Sequence, residues 1–279
     1  MKEERNINVD EAWNRLHGRL REDDLIPDKN LQVLRRRRRI SYAAVLTVFF
    51  VAGILMWQRM WPAQQPESFT LLNAEENTVL VTTLNDGSAV YLTQGSSLTY
   101  PENFKKKMRE VSLTGEALFE VEGNLQRPFI IETQYATVQV TGTVFNIKTT
   151  PGEENFELHV QEGTVKVFRK GTQEDIRVDA GESLRWLEGK WEKETSPDIN
   201  LYPLYTYRLR FKDEALSDLL PIINRSAEVP VVLSDPEIGN RKITVTFIDN
   251  TSESMTELIC LALKLQWTKR QDTIYISKP

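Results

Sequence analysis

The sequence predicts a single-span membrane protein with an all-β domain followed by a small α+β domain of β-α-β-β-α-β-β order. Three features point there: an uncharged apolar run at 40–57, short alternating runs punctuated by glycine between about 70 and 190, and strands alternating with helices beyond 203. As a helix rising ~1.5 Å per residue, the 18 residues of ISYAAVLTVFFVAGILMW would cover roughly 27 Å, close to the ~30 Å hydrocarbon core of a bilayer.

Residues 1–39 form the expected cytoplasmic segment. Within it, VDEAWNRLHGRL (9–20) reads as one amphipathic helix, with Val9, Trp13, Leu16 and Leu20 on a single stripe. Asp10 and Glu11 suit its N-terminus, and Gly18 weakens it slightly. A lone helix of this length is marginal in water, so its stripe wants a partner surface or lies on the membrane; a frayed tail is the remaining reading. Residues 22–34, with Pro27 among them, read as a loose connector.

Five arginines, Arg35 to Arg39, stand directly before the apolar run, whereas the 20 residues after Met56 hold only Arg59 as a basic group. The positive-inside rule then places the N-terminus in the cytoplasm and the remainder outside, with Trp57 and Trp61 at the outer interface. A signal peptide fits poorly: its charged region would be too long, and no A-x-A cleavage site follows. Residues 58–69, with Pro62 and Pro66, read as a linker.

Residues 70–195 are expected to be all-β. Val111, Leu113, Gly115, Ala117, Phe119 and Val121 alternate with a largely polar set, and shorter runs recur at 78–84, 89–92, 129–132, 137–140, 144–148, 156–160 and 164–168. Asn85-Asp86-Gly87 is a hairpin-turn signal. A second boundary falls at 194–203, and residues 203–279 read as the α+β domain. Its expected elements are a strand at 207–211, a helix at 212–227 that Pro221 should kink or end early, strands at 229–233 and 243–248, a helix at 251–264 capped by Thr251 or Ser252, and strands at 265–268 and 273–277.

Charge and composition exclude several functions. Residues 1–39 carry 11 Lys+Arg against 8 Asp+Glu; of the totals of 35 and 40, this leaves 24 against 32 beyond them. An acidic outer portion argues against direct nucleic-acid binding. Cys260 is the only cysteine, so no intramolecular disulfide forms, and it reads as a small core residue. His17 and His159 fall on opposite sides of the predicted span. No G-x-S-x-G, P-loop, dinucleotide fingerprint or H-E-x-x-H is present. No cofactor or metal site is expected, and an enzyme is the weaker reading.

A string of motifs carries a resemblance. Leu84-Asn85-Asp86-Gly87-Ser88, Leu98-Thr99-Tyr100-Pro101, Phe104 and Arg109 are followed by Val111-x-Leu113-x-Gly115-Glu116-Ala117-x-Phe119-x-Val121 and Pro128-Phe129. Then come Val140-x-Gly142-Thr143-x-Phe145-Asn146-Ile147, Gln161-Glu162-Gly163-Thr164-Val165 and Ala180-Gly181-Glu182. In this order they resemble the FecR-like family of transmembrane anti-sigma factors, and residues 203–279 resemble the secretin/TonB short N-terminal-like module that often ends its members.

The resemblance implies an inner-membrane, single-pass regulator with a periplasmic C-terminus. It would relay a signal from the signalling domain of a TonB-dependent outer-membrane transporter, met by the periplasmic domains. The recipient would be an extracytoplasmic-function sigma factor, held by residues 1–39 at a patch around Trp13, Leu16 and Leu20. Many members carry several cytoplasmic helices; this chain has one good one. Some relatives cut themselves at a Gly-Thr bond, here Gly142-Thr143, where the alternative is a plain turn. The competing reading is a membrane-anchored envelope scaffold or glycan-binding protein without transcriptional output.

Overall fold

The structure is a computed structural model that describes residues 8–23, 47–54, 56–57, 67–170, 175–187, 189–195, 200–225, 227–248 and 251–279. The chain divides into two compact units, Met1–Gln65 and Pro66–Pro279. In the first, helix α1 spans Val9–Glu22. Residues 47–54, 56 and 57 are also helical. No helix among the described residues is long and apolar enough to cross a membrane. The predicted span starts at residue 40, and its positions 40–46 and 55 lie outside the described residues.

The second unit is mostly β-sheet. Its strands begin with β1 (Ser68–Leu72), β2 (Val79–Thr83), β3 (Ala89–Leu92), β4 (Ser97–Pro101), β5 (Arg109–Thr114), β6 (Glu116–Val121) and β7 (Phe129–Glu132). They continue with β8 (Ala136–Val140), β9 (Thr143–Thr149), β10 (Phe156–Glu162), β11 (Thr164–Arg169), β12 (Asp175–Asp179), β13 (Glu182–Leu187) and β14 (Lys190–Thr195). After the short helix α2 (Tyr202–Tyr205) come β15 (Arg208–Ala215), α3 (Leu216–Asn224), β16 (Val231–Leu233), a 3-10 turn at Pro236–Asn240, β17 (Lys242–Ile248), α4 (Ser252–Leu263), β18 (Gln266–Arg270) and β19 (Thr273–Ser277).

Two sheets enclose one core. The seven-stranded sheet runs β1-β4-β5-β7-β8-β11-β12, and the nine-stranded sheet runs β14-β13-β10-β9-β6-β3-β2-β15-β17. Leu98, Val111, Phe129 and Val138 of the first pack with Leu80, Val90, Phe119, Phe145 and Leu158 of the second. Phe119 stacks on Phe145 at 5.5 Å between ring centroids and meets Phe129 edge-on at 6.4 Å. Such aromatic pairs add to the area they bury.

The alternating run 111–121 is two strands. β5 lies in the seven-stranded sheet and β6 in the nine-stranded one, with Gly115 as the corner between them. Alternation survives the corner because both sheets face the same core: Val111, Leu113, Ala117, Phe119 and Val121 are all buried. Gly115 sits at φ +94°, and a Cβ there would lie 2.9 Å from the Ser96 Cα. The corner is pinned by Thr149, whose Oγ1 accepts from Gly115 N at 3.2 Å and donates to Gly115 O at 3.0 Å. The Ser96 Oγ accepts from Glu116 N at 2.7 Å.

β2 and β3 do not alternate in burial; VLVT and AVYL are buried on both faces. One face lines the sandwich core. The other carries Val79, Val81, Ala89 and Tyr91, joined by Leu118 and Val144, and packs against Leu201, Tyr205, Phe211, Leu219 and Ile222. β15 adds to the same sheet by pairing in parallel with β2 from Leu209↔Val79 to Phe211↔Val81. The C-terminal elements thus share one continuous nine-stranded sheet with the sandwich.

The C-terminal order is β-α-β-β-α-β-β. Residues 212–215, expected to open a helix, instead extend β15 through a bulge between Phe211 and Glu214. Asp213 takes φ +52° and its N–H donates to the Thr244 Oγ1 at 3.0 Å. α3 stops at Asn224, soon after Pro221, whose missing N–H removes one helical bond. The Asn224 side chain then joins both backbone groups of Val231 at 2.8 and 2.9 Å. α4 is capped by Thr251, which accepts from Ser254 N at 3.3 Å. Its inward face is Met255, Thr256, Ile259 and Cys260, whereas Ala262 is exposed.

Candidate functional site

α1 carries the predicted contact patch. Its cap is Asn8, whose side chain accepts from Glu11 N; the acidic first turn and the basic last turn (Arg19, Arg21) complement the helix dipole. Arg15 pairs with Glu11 one turn away at 2.6 Å. Val9, Trp13 and Leu16 are 72%, 63% and 50% exposed, and Leu20 is half-buried. Trp13 meets His17 edge-on at 6.3 Å. No residue of the helix is buried, so the apolar stripe meets solvent.

Gly142-Thr143 opens β9 in a crowded setting. A Cβ on Gly142 would lie 2.8 Å from Gly123 Cα, and one on Gly163 would lie 2.8 Å from Gly142 O and 2.6 Å from Thr143 Cγ2. Thr143 is 4% exposed, and its Oγ1 is buried without a hydrogen-bond partner among the described residues. An orphaned buried hydroxyl is costly, since it has left water for nothing.

A third cluster joins the motif residues Glu116, Asn146 and Gln161 to side chains outside any motif. Glu116, Leu118 and Glu120 project from the outward face of β6, under α2 and α3. The Glu120 carboxylate accepts from Tyr202 Oη at 3.1 Å and from Tyr91 Oη at 3.5 Å, and it pairs with Arg225 beyond α3. Tyr205 donates to Glu116 Oε1 at 2.7 Å and accepts from Asn146 Nδ2 at 3.0 Å. Gln161 accepts from Leu201 N at 2.8 Å. Burial pushes the Tyr91 hydroxyl up to about 12 and raises those of Tyr202 and Tyr205, so all three stay protonated donors. A cavity of about 260 Å³ opens beside them, lined in part by Tyr91, Tyr202, Ile222 and Arg225. Two outward carboxylates on one strand thus clamp β3, α2 and α3 together.

Glu214 ties β15 to the end of β2. Its Oε1 accepts from Thr83 N at 2.8 Å, yet burial outweighs that bond and holds its carboxyl above the ordinary value. The folded state therefore keeps this proton longer than the unfolded chain does, and stability falls as pH rises from the ordinary carboxylate value through the raised one. Glu214→Gln, which keeps the acceptor, is expected to flatten that slope; melting temperature against pH for both proteins checks it.

Burial pushes the Cys260 thiol up to about 11. It lies in the C-terminal core and behaves as a small apolar side chain. His159, on β10, is held below the ordinary histidine value by burial. Among the described residues no group of three or more His, Cys, Asp or Glu side chains is placed to hold a metal.

Two family descriptions match the chain: "FecR protein" over residues 71–166 and "FecR, C-terminal" over residues 208–276. Together they take in more than half of it. The chain belongs to the FecR-like family. The FecR match runs from β1 into β11, and the C-terminal match runs from β15 to β19. Of the clamp, Tyr91, Glu116 and Glu120 lie in the first match and Arg225 in the second, whereas Tyr202 and Tyr205 lie between the two. Two crystal structures of a candidate anti-sigma factor from Parabacteroides distasonis are similar to the chain at 24% identity and a TM-score of 0.45; the match covers 76% of this chain and 99% of the other. No curated protein matches the chain.

Proposed function

We propose that this FecR-like chain is a membrane-anchored, non-catalytic anti-sigma regulator. Residues 40–57 form a single span with the N-terminus in the cytoplasm and the β-rich unit in the periplasm. α1 holds an extracytoplasmic-function sigma factor, and the periplasmic unit receives the signalling domain of a TonB-dependent outer-membrane transporter. Family membership supports this reading, and the observation that carries it is the solvent-facing stripe of Val9, Trp13 and Leu16 on α1. A helix of 14 residues with no buried side chain gains little from its own chain and much from a partner groove. In cells, deleting the chain should change output from a promoter of the co-encoded sigma factor. Wild-type chain should restore the regulated level and Trp13→Ala/Leu16→Ala should not; equal restoration by both would refute the assignment.

Self-cleavage at Gly142-Thr143 is a second reading, favoured by the orphaned Thr143 hydroxyl. Oγ1 would add to the Gly142 carbonyl carbon, its proton passing to the departing Thr143 nitrogen, to leave an ester and a free amine. Water then splits the ester into a Gly142 carboxylate and a Thr143 hydroxyl. Purified wild type should show two fragments meeting at 142/143 and Thr143→Ala one intact chain. A wild type that stays whole on purification contradicts the reading.

A further inference from the structure

At one open end of the sandwich the two sheets frame a cleft of about 150 Å³. The β13–β14 hairpin places Trp186 directly opposite Trp191, with ring centroids 4.9 Å apart, and Trp191 also meets Phe156 edge-on at 5.5 Å. From the facing sheet come Gln134 and Tyr135, in the turn between β7 and β8, and Arg169, at the end of β11. The Arg169 guanidinium lies 4.1 Å over the Trp186 ring. Glu154, from the β9–β10 turn, completes the rim.

The walls are pre-set. Thr133 Oγ1 accepts from Tyr135 N at 3.3 Å and Ala136 N at 3.0 Å, and it donates to Ala136 O at 2.8 Å. Lys170 N donates to Tyr135 O at 3.1 Å, tying the turn to the end of β11.

We propose that this cleft binds one pyranose unit of a polysaccharide. The rings of Tyr135 and Trp191 on the cleft wall match the apolar C–H face of a sugar ring, while Arg169 covers the Trp186 ring behind them. The planar amide of Gln134 and the carboxylate of Glu154 match the donor and acceptor pairs of its vicinal hydroxyls. Aromatic walls with a few convergent polar groups are the usual make-up of a small-ligand site. The rim mixes charge signs, with Lys170 paired to Glu132 at 3.5 Å, which favours a neutral sugar over a simple anion. The site is independent of the sigma-factor assignment.

The test is a titration of the full chain, in a detergent without sugar headgroups, with chitotetraose, maltotetraose and cellotetraose, read by tryptophan fluorescence and calorimetry. At least one sugar should give saturable binding at millimolar concentration. Tyr135→Ala and Glu154→Gln should each weaken it about tenfold with melting temperature unchanged. If either variant melts early, Gln134→Ala replaces it as the probe. No saturable signal with any of the three sugars overturns the proposal, as does binding that the rim substitutions leave intact.

Discussion

Replacing Arg109 by alanine should cost about 3–5 kcal/mol, the usual range for breaking a buried ion pair. Its side chain and that of Asp86 are 2% and 8% exposed, and Nη1 meets Asp86 Oδ2 at 2.7 Å. Arg109 also donates through Nε to Arg127 O at 2.9 Å and through Nη1 to Glu122 O at 2.9 Å. The guanidinium sits 5.4 Å over the Phe129 ring. Asp86 is oriented in turn by Ser88, whose N and Oγ donate to its two oxygens at 3.2 and 2.8 Å. One cation thus ties the β2–β3 turn to the segments flanking β6 and β7. Removing it strands the Asp86 carboxylate, 8% exposed, without its counter-charge. Its Nη2 has no hydrogen-bond partner among the described residues, so the pair itself carries an uncompensated desolvation cost. The double variant Asp86→Ala/Arg109→Met should therefore lose less than Arg109→Ala alone. Urea denaturation of the single and double variants measures this.

Gly115→Ala should be the most damaging glycine substitution in the β5–β6 corner. A left-handed backbone costs a side chain roughly 1–2 kcal/mol by itself. Here the new methyl would also meet Ser96 backbone at 2.9 Å, and the corner, pinned by Thr149, has no slack. Gly152 is the internal control, at φ +86° with nothing within 4 Å of its added Cβ. Denaturation should show Gly115→Ala losing clearly more stability than Gly152→Ala; equal losses would mean that the corner yields.

Much of the architecture is legible in the residues, because most strands present one face to the core and one to solvent. β8 and β10 show this in their alternating burial. β5 and β6 merged into one run because crossing between two sheets that share a core preserves side-chain parity, leaving Gly115 as the only mark. β2 and β3 read as strands, but their continuous apolar character was the sign of a second covered face, which only the C-terminal elements explain. The start of α3 was misplaced because Lys212-Asp213-Glu214-Ala215 has helix-like composition, while the pairing of Glu214 with Ile243 and Ala215 with Lys242 holds it extended. Asp86 and Arg109 stood out as motif residues, but their union depends on a contact 23 positions apart that no local pattern reports. Glu116 stood out as a motif residue too, but its part in the clamp with Glu120 did not, because outward carboxylates on a strand ordinarily face water.

The most direct test of the central claim is a pull-down of the co-encoded sigma factor by the full chain in detergent, wild type against Trp13→Ala/Leu16→Ala. Both residues are exposed, so the substitutions leave the β-rich unit intact. The anti-sigma assignment predicts capture by the wild type and loss of capture by the double variant. Failure of the wild type to hold a correctly folded sigma factor, or equal capture by both, would contradict it.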